Sequence, residues 1–137
     1  MNREILFRGK REYDGEWVYG DLLKHTELGL VEIGHVEYYT DEYYTLKDYC
    51  RTTVIPETVG QYTGLVDRNG TKIFDGDICS TDLARPYAVV EFRNGCFVYE
   101  VNDGNGDYYD IMMPIERLVD VDEYVEVIGN IHEQGVQ

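Results

Sequence analysis

Long apolar runs are missing from this chain of 137 residues: the longest, residues 87–90 and 96–99, have four residues each. A helix that crosses a bilayer needs about 20 apolar residues, so the sequence predicts no membrane span. The N-terminal apolar triplet Ile5–Phe7 is flanked by charged residues. It lacks the longer apolar region and the small-residue cleavage site of a secretory signal, and we therefore do not expect export.

Cysteine is also scarce, with three residues, Cys50, Cys79 and Cys96, far apart in the sequence. A secreted disulfide framework uses an even number of closely spaced cysteines. A structural zinc site commonly uses close pairs such as Cys-x-x-Cys. Neither pattern is present, so we expect reduced thiols, no metal site and no other cofactor.

Basic residues are few: 12 Lys and Arg stand against 27 Asp and Glu, and the net charge is −15. The imbalance is greatest in residues 100–137, where ten acids accompany a single base, Arg117. Because nucleic-acid binding relies on Lys and Arg contacts to phosphates, direct nucleic-acid binding is disfavoured. The acidic C-terminal surface would instead attract a basic protein partner, although the same charge also serves solubility.

Alanine, the best helix former, occurs only twice, whereas Val, Ile, Thr and Tyr together supply 46 residues. This composition favours strands and predicts a mostly β protein with at most short helices. Asp-Gly or Asn-Gly pairs, which suit two-residue turns, indicate hairpins at residues 5–19, 65–74 and 88–101. Further strands are predicted at residues 29–39, 52–55, 78–80, 108–113 and 123–131.

The alternating pattern of the 88–101 hairpin predicts which of its side chains enter the core. The core candidates are Val90, Phe92, Phe97, Tyr99 and Val101. Cys79 and Cys96 also fall on predicted strands, where a free cysteine usually behaves as a small buried hydrophobe. Short helices are predicted at Asp41–Cys50 and Pro114–Leu118, the second because proline suits a first helical turn.

Five ordered blocks of sequence carry a family resemblance. The central block is PETVGQYTGL at 56–65, followed by Asn69-Gly70 and FDGDI at 74–78. The flanking blocks are REILFRGK at 3–10, EWVYGDLL at 16–23, VEFRNGCF at 90–97 and EVIGNIHE at 126–133. In composition and order these blocks resemble the YopX-like family of phage and prophage proteins. Residues 24–53 and 102–124 lie outside the resemblance and would be the variable parts.

The resemblance implies a β-rich fold whose C-terminal half is similar to a small SH3-type barrel. We therefore expect residues 1–60 to form a β-hairpin region that contains a Tyr-rich segment, and residues 61–137 to form an SH3-like β-barrel. The resemblance also implies a phage or prophage setting, and hence the cytoplasm of a bacterial host. It carries over no catalytic residue.

Motifs for catalysis and calcium binding fail at defining positions. A Cys or Ser nucleophile needs a base within hydrogen-bond reach, and none of the three histidines stands in a known nucleophile signature. Residues 103–107 offer oxygen ligands at the first, third and fifth positions of a calcium loop. However, Tyr108 stands where that loop needs glycine, and Pro114 stands where it needs a bidentate acid.

The segment Asp75-Gly76-Asp77 places two carboxylates on either side of a glycine. Such a pair suits acid–base work or a divalent cation. It therefore supports one alternative function, a small metal-assisted hydrolase or nucleotide-processing enzyme. The favoured interpretation is structural, because glycine allows a tight turn and Asp side chains accept hydrogen bonds from backbone amides.

Thirteen tyrosines are present, with adjacent pairs at 38/39, 43/44 and 108/109. Neighbouring residues on a strand point to opposite faces, so at least one tyrosine of each pair should lie near the surface. There tyrosine offers a large contact area at low entropic cost. The alternative is that these rings pack at the edge of the core with their hydroxyls in water.

The sequence thus predicts a non-enzymatic protein-interaction module with a basic protein partner or with self-association into a homo-oligomer. A sharper version is that the acidic face imitates nucleic acid. A further alternative is a structural virion or assembly component. We assign no catalytic or metal-binding residue. The candidate binding residues are Trp17, Tyr38, Tyr43, Tyr62, Asp75, Asp77, Asp107 and Tyr109.

Overall fold

A computed structural model describes residues 4–80, 87–93, 96–102, 108–114 and 125–133. These residues form two antiparallel sheets, which confirms the predicted mostly β class. Within the described ranges the helical content is one 3-10 turn, Pro56–Thr58, and none of their helices has the length and apolarity to cross a membrane. The chain divides into two compact units, Glu4–Gln61 and a second that runs on from Tyr62.

The N-terminal unit contains four strands in the order β4-β3-β2-β1. They are β1 (Phe7–Lys10), β2 (Trp17–His25), β3 (Leu30–Thr40) and β4 (Thr45–Thr53). Strand β5 (Gly60–Val66) begins in this unit, where Gly60 pairs with Arg8. The predicted hairpin at residues 5–19 is confirmed, since β1 pairs with β2 from Phe7–Gly20 to Lys10–Trp17.

The prediction of a helix at Asp41–Cys50 is wrong. Its first four residues form a turn and the rest belong to β4, which pairs continuously with β3 from Glu32–Thr53 to Thr40–Thr45. Tyrosine and threonine favour a pleated surface. The apolar pattern of this segment alone is ambiguous between helix and strand. Its pairing with β3 therefore makes it a strand.

The C-terminal unit contains the rest of β5, which pairs with β6 (Lys72–Phe74), and a five-stranded sheet. The sheet has the order β10-β9-β8-β7-β11. Its strands are β7 (Asp77–Ser80), β8 (Tyr87–Arg93), β9 (Cys96–Asn102), β10 (Tyr108–Pro114) and β11 (Glu126–Asn130). The predicted hairpins at 65–74 and 88–101 are both confirmed, with Val66 opposite Lys72 and Phe92 opposite Phe97.

Over the described residues, this sheet ends at β10 on one side and at β11 on the other, so it is not closed into a barrel. The SH3-like barrel expected from the family resemblance is therefore not confirmed. Of the helix predicted at Pro114–Leu118, only Pro114 lies inside the described residues, where it ends β10.

The core of the C-terminal unit is a cluster of buried side chains: Ile73, Cys79, Ala88, Val90, Phe97 and Val125. Val90, Phe97 and Cys79 confirm their predicted burial, and burial raises the pKa of the Cys79 thiol. The prediction of Phe92 as a core residue is wrong, because its side chain is 55% exposed, although its ring meets that of its buried register partner Phe97 edge-on at 5.0 Å. The side chains of Tyr99 and Val101 lie outside the described set.

A buried carboxylate ties the turn after β5 to β11. Asp67 is 2% exposed. Its Oδ1 accepts the N–H groups of Asn69 (2.8 Å) and Thr71 (2.9 Å), and its Oδ2 accepts the N–H of Val127 (2.9 Å). Burial of a carboxylate is tolerated only when such bonds replace its water. Asp67 was not among the predicted residues.

Candidate binding surface

Most of the exposed aromatic side chains described in the N-terminal unit lie on one hairpin, although Tyr13, at 77% exposure, lies outside it. We call Val36–Tyr49, the outer part of β3 and β4, the tyrosine hairpin. Strand β2 pairs with β3 only from Leu30 to Gly34. Beyond that point β3 pairs, within the described chain, with β4 alone, so the tyrosine hairpin is a two-stranded extension.

A carboxylate closes the tip of the tyrosine hairpin. Asp41 Oδ1 accepts the N–H groups of Tyr43 (2.8 Å) and Tyr44 (2.9 Å), while the Asp41 N–H donates to the Tyr44 carbonyl at 3.0 Å. These backbone hydrogen bonds lower the pKa of Asp41. The turn therefore keeps two tyrosines at the tip in a defined backbone conformation.

Large side chains are exposed along this extension. Tyr38 is 65% exposed and Tyr43 is 85% exposed. The other exposed members are Val36, Tyr39, Tyr44, Leu46 and Tyr49. Tyr38 and Tyr39 point to opposite faces and both are exposed, so neither face of the extension is covered at this point by the described chain. Tyr38 and Tyr43, both predicted as binding residues, thus lie on one continuous surface.

The base of the tyrosine hairpin is held by close contacts at glycines. The Tyr49 ring lies over Gly34, where a Cβ would stand 2.1 Å from the tyrosine Oη, and its hydroxyl donates to Asp21 at 3.4 Å. A Cβ at Gly20 would stand 2.0 Å from the Gly34 carbonyl oxygen. Burial and the Asp21 carboxylate raise the pKa of Tyr49. Only glycine allows β2, β3 and the Tyr49 ring to approach this closely.

A polar cluster lies where the tyrosine hairpin joins the sheet. His35 and Cys50 are directly opposite in the β3–β4 register, and Glu37 follows on the same face. Glu37 accepts hydrogen bonds from His35 Nε2 at 2.9 Å and from the Tyr39 hydroxyl at 2.5 Å. A nitrogen, a sulfur and a carboxylate oxygen from His35, Cys50 and Glu37 lie within 4.8 Å of one another.

The hydrogen bonds within this cluster shift the ionisation of its members. The bonds from Tyr39 and His35 lower the pKa of Glu37. The same Glu37 carboxylate raises the pKa of Tyr39 to about 12. Partial burial, together with the charge of Glu37, raises the pKa of Cys50, so the thiol is protonated at neutral pH.

Trp17, another predicted binding residue, lies half-buried at the start of β2. The Arg8 guanidinium stands 4.4 Å from the Trp17 ring centroid, and the Lys10 ammonium stands 5.4 Å from it. Cations over an indole face are attracted by the ring quadrupole. The indole face is therefore already occupied by side chains of the same sheet.

The two aspartates of the Asp75–Asp77 segment have different surroundings. Asp77 is 1% exposed, and its Oδ2 accepts the Phe74 N–H at 2.7 Å across a turn in which Gly76 has a φ of +93°. Asp75 is half-buried. Among the described residues, neither aspartate belongs to a group of three side chains that could hold a metal ion.

The remaining predicted binding residues do not join the tyrosine hairpin. Tyr62 is buried, at 6% exposure, and packs against Phe74 with ring centroids 5.6 Å apart. The structure therefore places this ring in the core of its unit. Asp107 lies outside the described residues, and Tyr109 is described only as a backbone position in β10.

Sequence reasoning missed the polar cluster. In the sequence, His35 is one of three histidines outside any nucleophile signature, Cys50 is one of three expected reduced thiols, and Glu37 carries no prediction. The available signal was the His-x-Glu spacing, which puts both side chains on one face of a strand. That Cys50 joins the cluster follows only from the β3–β4 register, which places it opposite His35. The prediction of a helix at Asp41–Cys50 excluded that strand pairing.

Comparison with known proteins identifies the family. Among solved structures, the chain is similar to the crystal structure of protein EF1440 from Enterococcus faecalis, with 20% identity and a TM-score of 0.60 over 96% of each chain. At that identity the likeness shows the fold alone. No curated protein matches the chain. The YopX protein family model matches residues 6–136, and the protein therefore belongs to the YopX family.

Proposed function

We propose that the protein is a non-enzymatic protein-interaction module that binds its partner through the tyrosine hairpin. The observation that carries this proposal is the exposure of large side chains on both faces of a two-stranded extension, with Tyr38 at 65% and Tyr43 at 85%. An isolated two-stranded hairpin is at best marginally stable in water. Exposed apolar patches on soluble proteins commonly mark interaction sites.

The size of these side chains makes them suitable anchors. If binding covers about 100 Å² of one exposed tyrosine, the gain is about 2.5 kcal/mol at about 25 cal/mol per Å². Truncation of interface residues that dominate binding costs at least about 2 kcal/mol. Since each 1.4 kcal/mol is about tenfold in Kd, loss of Tyr38 or Tyr43 should weaken binding at least about tenfold.

The charge of the tyrosine hairpin indicates the chemistry of the partner. It holds four acids, Glu37, Asp41, Glu42 and Asp48, and one base, Lys47. This surface favours a basic protein over nucleic acid. The excess of acids in residues 100–137 supports the same choice. A basic nucleic-acid-binding protein in the cytoplasm of a bacterial host fits both the charge and the phage setting of the family.

Affinity capture from bacterial lysate tests this proposal. The bait is the full chain, compared with a Tyr38→Ser/Tyr43→Ser variant and with Tyr13→Ser as a matched control. Tyr13 is 77% exposed but lies in the β1–β2 turn. We expect the double variant to lose a captured basic protein that the control retains, and we expect capture to weaken as salt rises. Equal capture by both variants, or capture that ignores salt, would contradict the proposal.

Two alternatives receive less support. A hydrolase that uses Asp75 and Asp77 would need accessible carboxylates, whereas Asp77 is buried and bonded to the backbone of Phe74. A virion or assembly component would form a large stable oligomer, which light scattering would detect. Closure of the C-terminal unit into an SH3-like barrel stays a prediction drawn from the family resemblance.

A further inference from the structure

A cluster of three potential metal ligands lies at the base of the tyrosine hairpin, where Glu37 meets His35 and Cys50. His35, Glu37 and Cys50 present an imidazole nitrogen, a carboxylate oxygen and a thiol sulfur within 4.8 Å of one another. We propose that these three side chains bind one transition-metal ion of the zinc type. Zinc accepts sulfur, nitrogen and oxygen ligands together, whereas magnesium and calcium prefer oxygen alone.

The distances are compatible with coordination after small side-chain movements. Zinc ligands lie about 2.0–2.3 Å from the metal, so tetrahedral ligand atoms stand about 3.3 to 3.8 Å apart. The longest observed separation, at most 4.8 Å, needs to shorten by about 1 Å, whereas the 2.9 Å between His35 Nε2 and Glu37 Oε1 needs to lengthen by about 0.5 Å if both atoms are ligands. Glu37 and His35 have side chains that are 42% and 33% exposed, and both therefore have room to move.

One ring nitrogen of His35 has no hydrogen-bond partner among the described residues. The Nε2 atom interacts with Glu37, whereas the buried Nδ1 atom is the one without a partner within the described chain. The pair His25 and Glu32, at 2.5 Å on the same sheet, is a similar His–carboxylate contact. It belongs to no three-ligand group within the described chain and is therefore a matched control.

The surroundings leave space for a fourth ligand, and Arg11, a cationic residue among the described walls, is paired with a carboxylate. His35, Glu37 and Cys50 line a cleft of about 350 Å³ with Arg11, Trp17 and Tyr19 among its other walls. The Arg11 guanidinium is bonded to the Asp14 carboxylate at 3.0 and 2.5 Å, which offsets its charge. With Glu37 ionised and the Cys50 proton displaced to water, the ligand set carries two negative charges against a divalent ion. The open position would hold water.

Cobalt(II) titration of the full chain tests the proposal. A reductant free of metal ions is present to keep the Cys50 thiol reduced. We expect one Co²⁺ per chain, a thiolate-to-cobalt charge-transfer band and the intense visible bands of tetrahedral coordination, all removed by one equivalent of Zn²⁺. Loss of an outer-sphere partner of a metal ligand typically weakens binding about 10- to 100-fold. Cys50→Ser or His35→Ala, which remove a direct ligand, should therefore weaken Zn²⁺ binding by about a hundredfold or more.

The controls separate this site from adventitious binding. Cys96→Ser removes a thiol outside the cluster and His25→Ala removes a similar histidine, so both should retain the cobalt spectrum. Circular dichroism of each variant shows whether it is folded, and Glu37→Gln provides a second, nearly isosteric test. A spectrum without a thiolate band, or one that survives Cys50→Ser in a folded protein, would overturn the proposal. Loss of the band with Cys96→Ser instead would also overturn it.

Discussion

Replacement of Asp67 by alanine should destabilise the C-terminal unit more than any single exposed ion pair does. The carboxylate is 2% exposed and accepts three backbone N–H groups, from Asn69, Thr71 and Val127. Alanine provides no acceptor, so all three donors lose their partner. Two of them belong to exposed residues, which water can reach, whereas Val127 is half-buried.

The expected magnitude follows from these three bonds. A hydrogen bond to a charged group contributes about 1.5–3 kcal/mol, and an unsatisfied buried donor costs about 1–3 kcal/mol. If water compensates fully for one exposed donor and in part for the other, we expect Asp67→Ala to cost about 3–5 kcal/mol. Asn at this position keeps one acceptor oxygen but turns an amide N–H₂ toward a donor, so Asp67→Asn should cost about 1–3 kcal/mol.

A matched control lies at the same junction. Arg68 and Glu126, the neighbours of Asp67 and Val127, form an exposed ion pair between the same two segments. Exposed pairs contribute at most about 1 kcal/mol. The free energy of unfolding is measured by urea unfolding followed by tyrosine fluorescence. It should fall for Asp67→Ala by at least about three times as much as it falls for Glu126→Gln. Equal losses would refute the view that the buried carboxylate, and not the ion pair, fastens β11 to the turn.

Three further predictions concern the N-terminal unit. Gly20→Ala places a Cβ 2.0 Å from the Gly34 backbone oxygen and should cost at least about 2 kcal/mol by overpacking in thermal unfolding. At Gly15 the φ is +74°, but an added Cβ has no atom within 4 Å, so Gly15→Ala should cost only about 1 kcal/mol. A larger loss of stability for Gly15→Ala than for Gly20→Ala would contradict the close approach of β2 and β3. Hydrogen bonds from Tyr43 and Tyr44 lower the pKa of Asp41 below its ordinary 3.8. The stabilisation that these hydrogen bonds give the tip should thus be complete above about pH 3.8. It should be lost as the pH falls through the lowered pKa that Asp41 has in the folded protein. The Tyr43 and Tyr44 amide NMR shifts should titrate with a midpoint below 3.8 in the wild type and stay flat in Asp41→Asn; a midpoint at or above 3.8 would show that the bonds do not form.

Turn chemistry made much of the fold predictable. Asp-Gly and Asn-Gly pairs are local signals with a defined backbone geometry, and all three hairpins assigned from them are present. Strand β4 was not predictable in this way. The spacing of Tyr44, just before this strand, and of Leu46 and Tyr49 within it is ambiguous between helix and strand, and pairing with β3 resolves it.

Side-chain burial was less predictable than strand position. Phe92 has the correct alternation for the core, but alternation does not show which side chains other parts of the fold cover, and Phe92 is 55% exposed while its register partner Phe97 is buried. Asp67 is polar and stands in a turn, yet its burial depends on Val127, 60 residues later. The same limit applied to the polar cluster, because strand register, not sequence spacing, brings His35 and Cys50 together.

Site-specific photo-crosslinking in bacterial cells tests the central claim most directly. A benzophenone amino acid would replace Tyr43, at 85% exposure, in one variant and Tyr13, at 77% exposure, in another. We expect a discrete crosslinked product from position 43 and none from position 13, with a basic protein identified in the adduct by mass spectrometry. Equal products from both positions, or none from position 43, would contradict the assignment of the tyrosine hairpin as the binding surface.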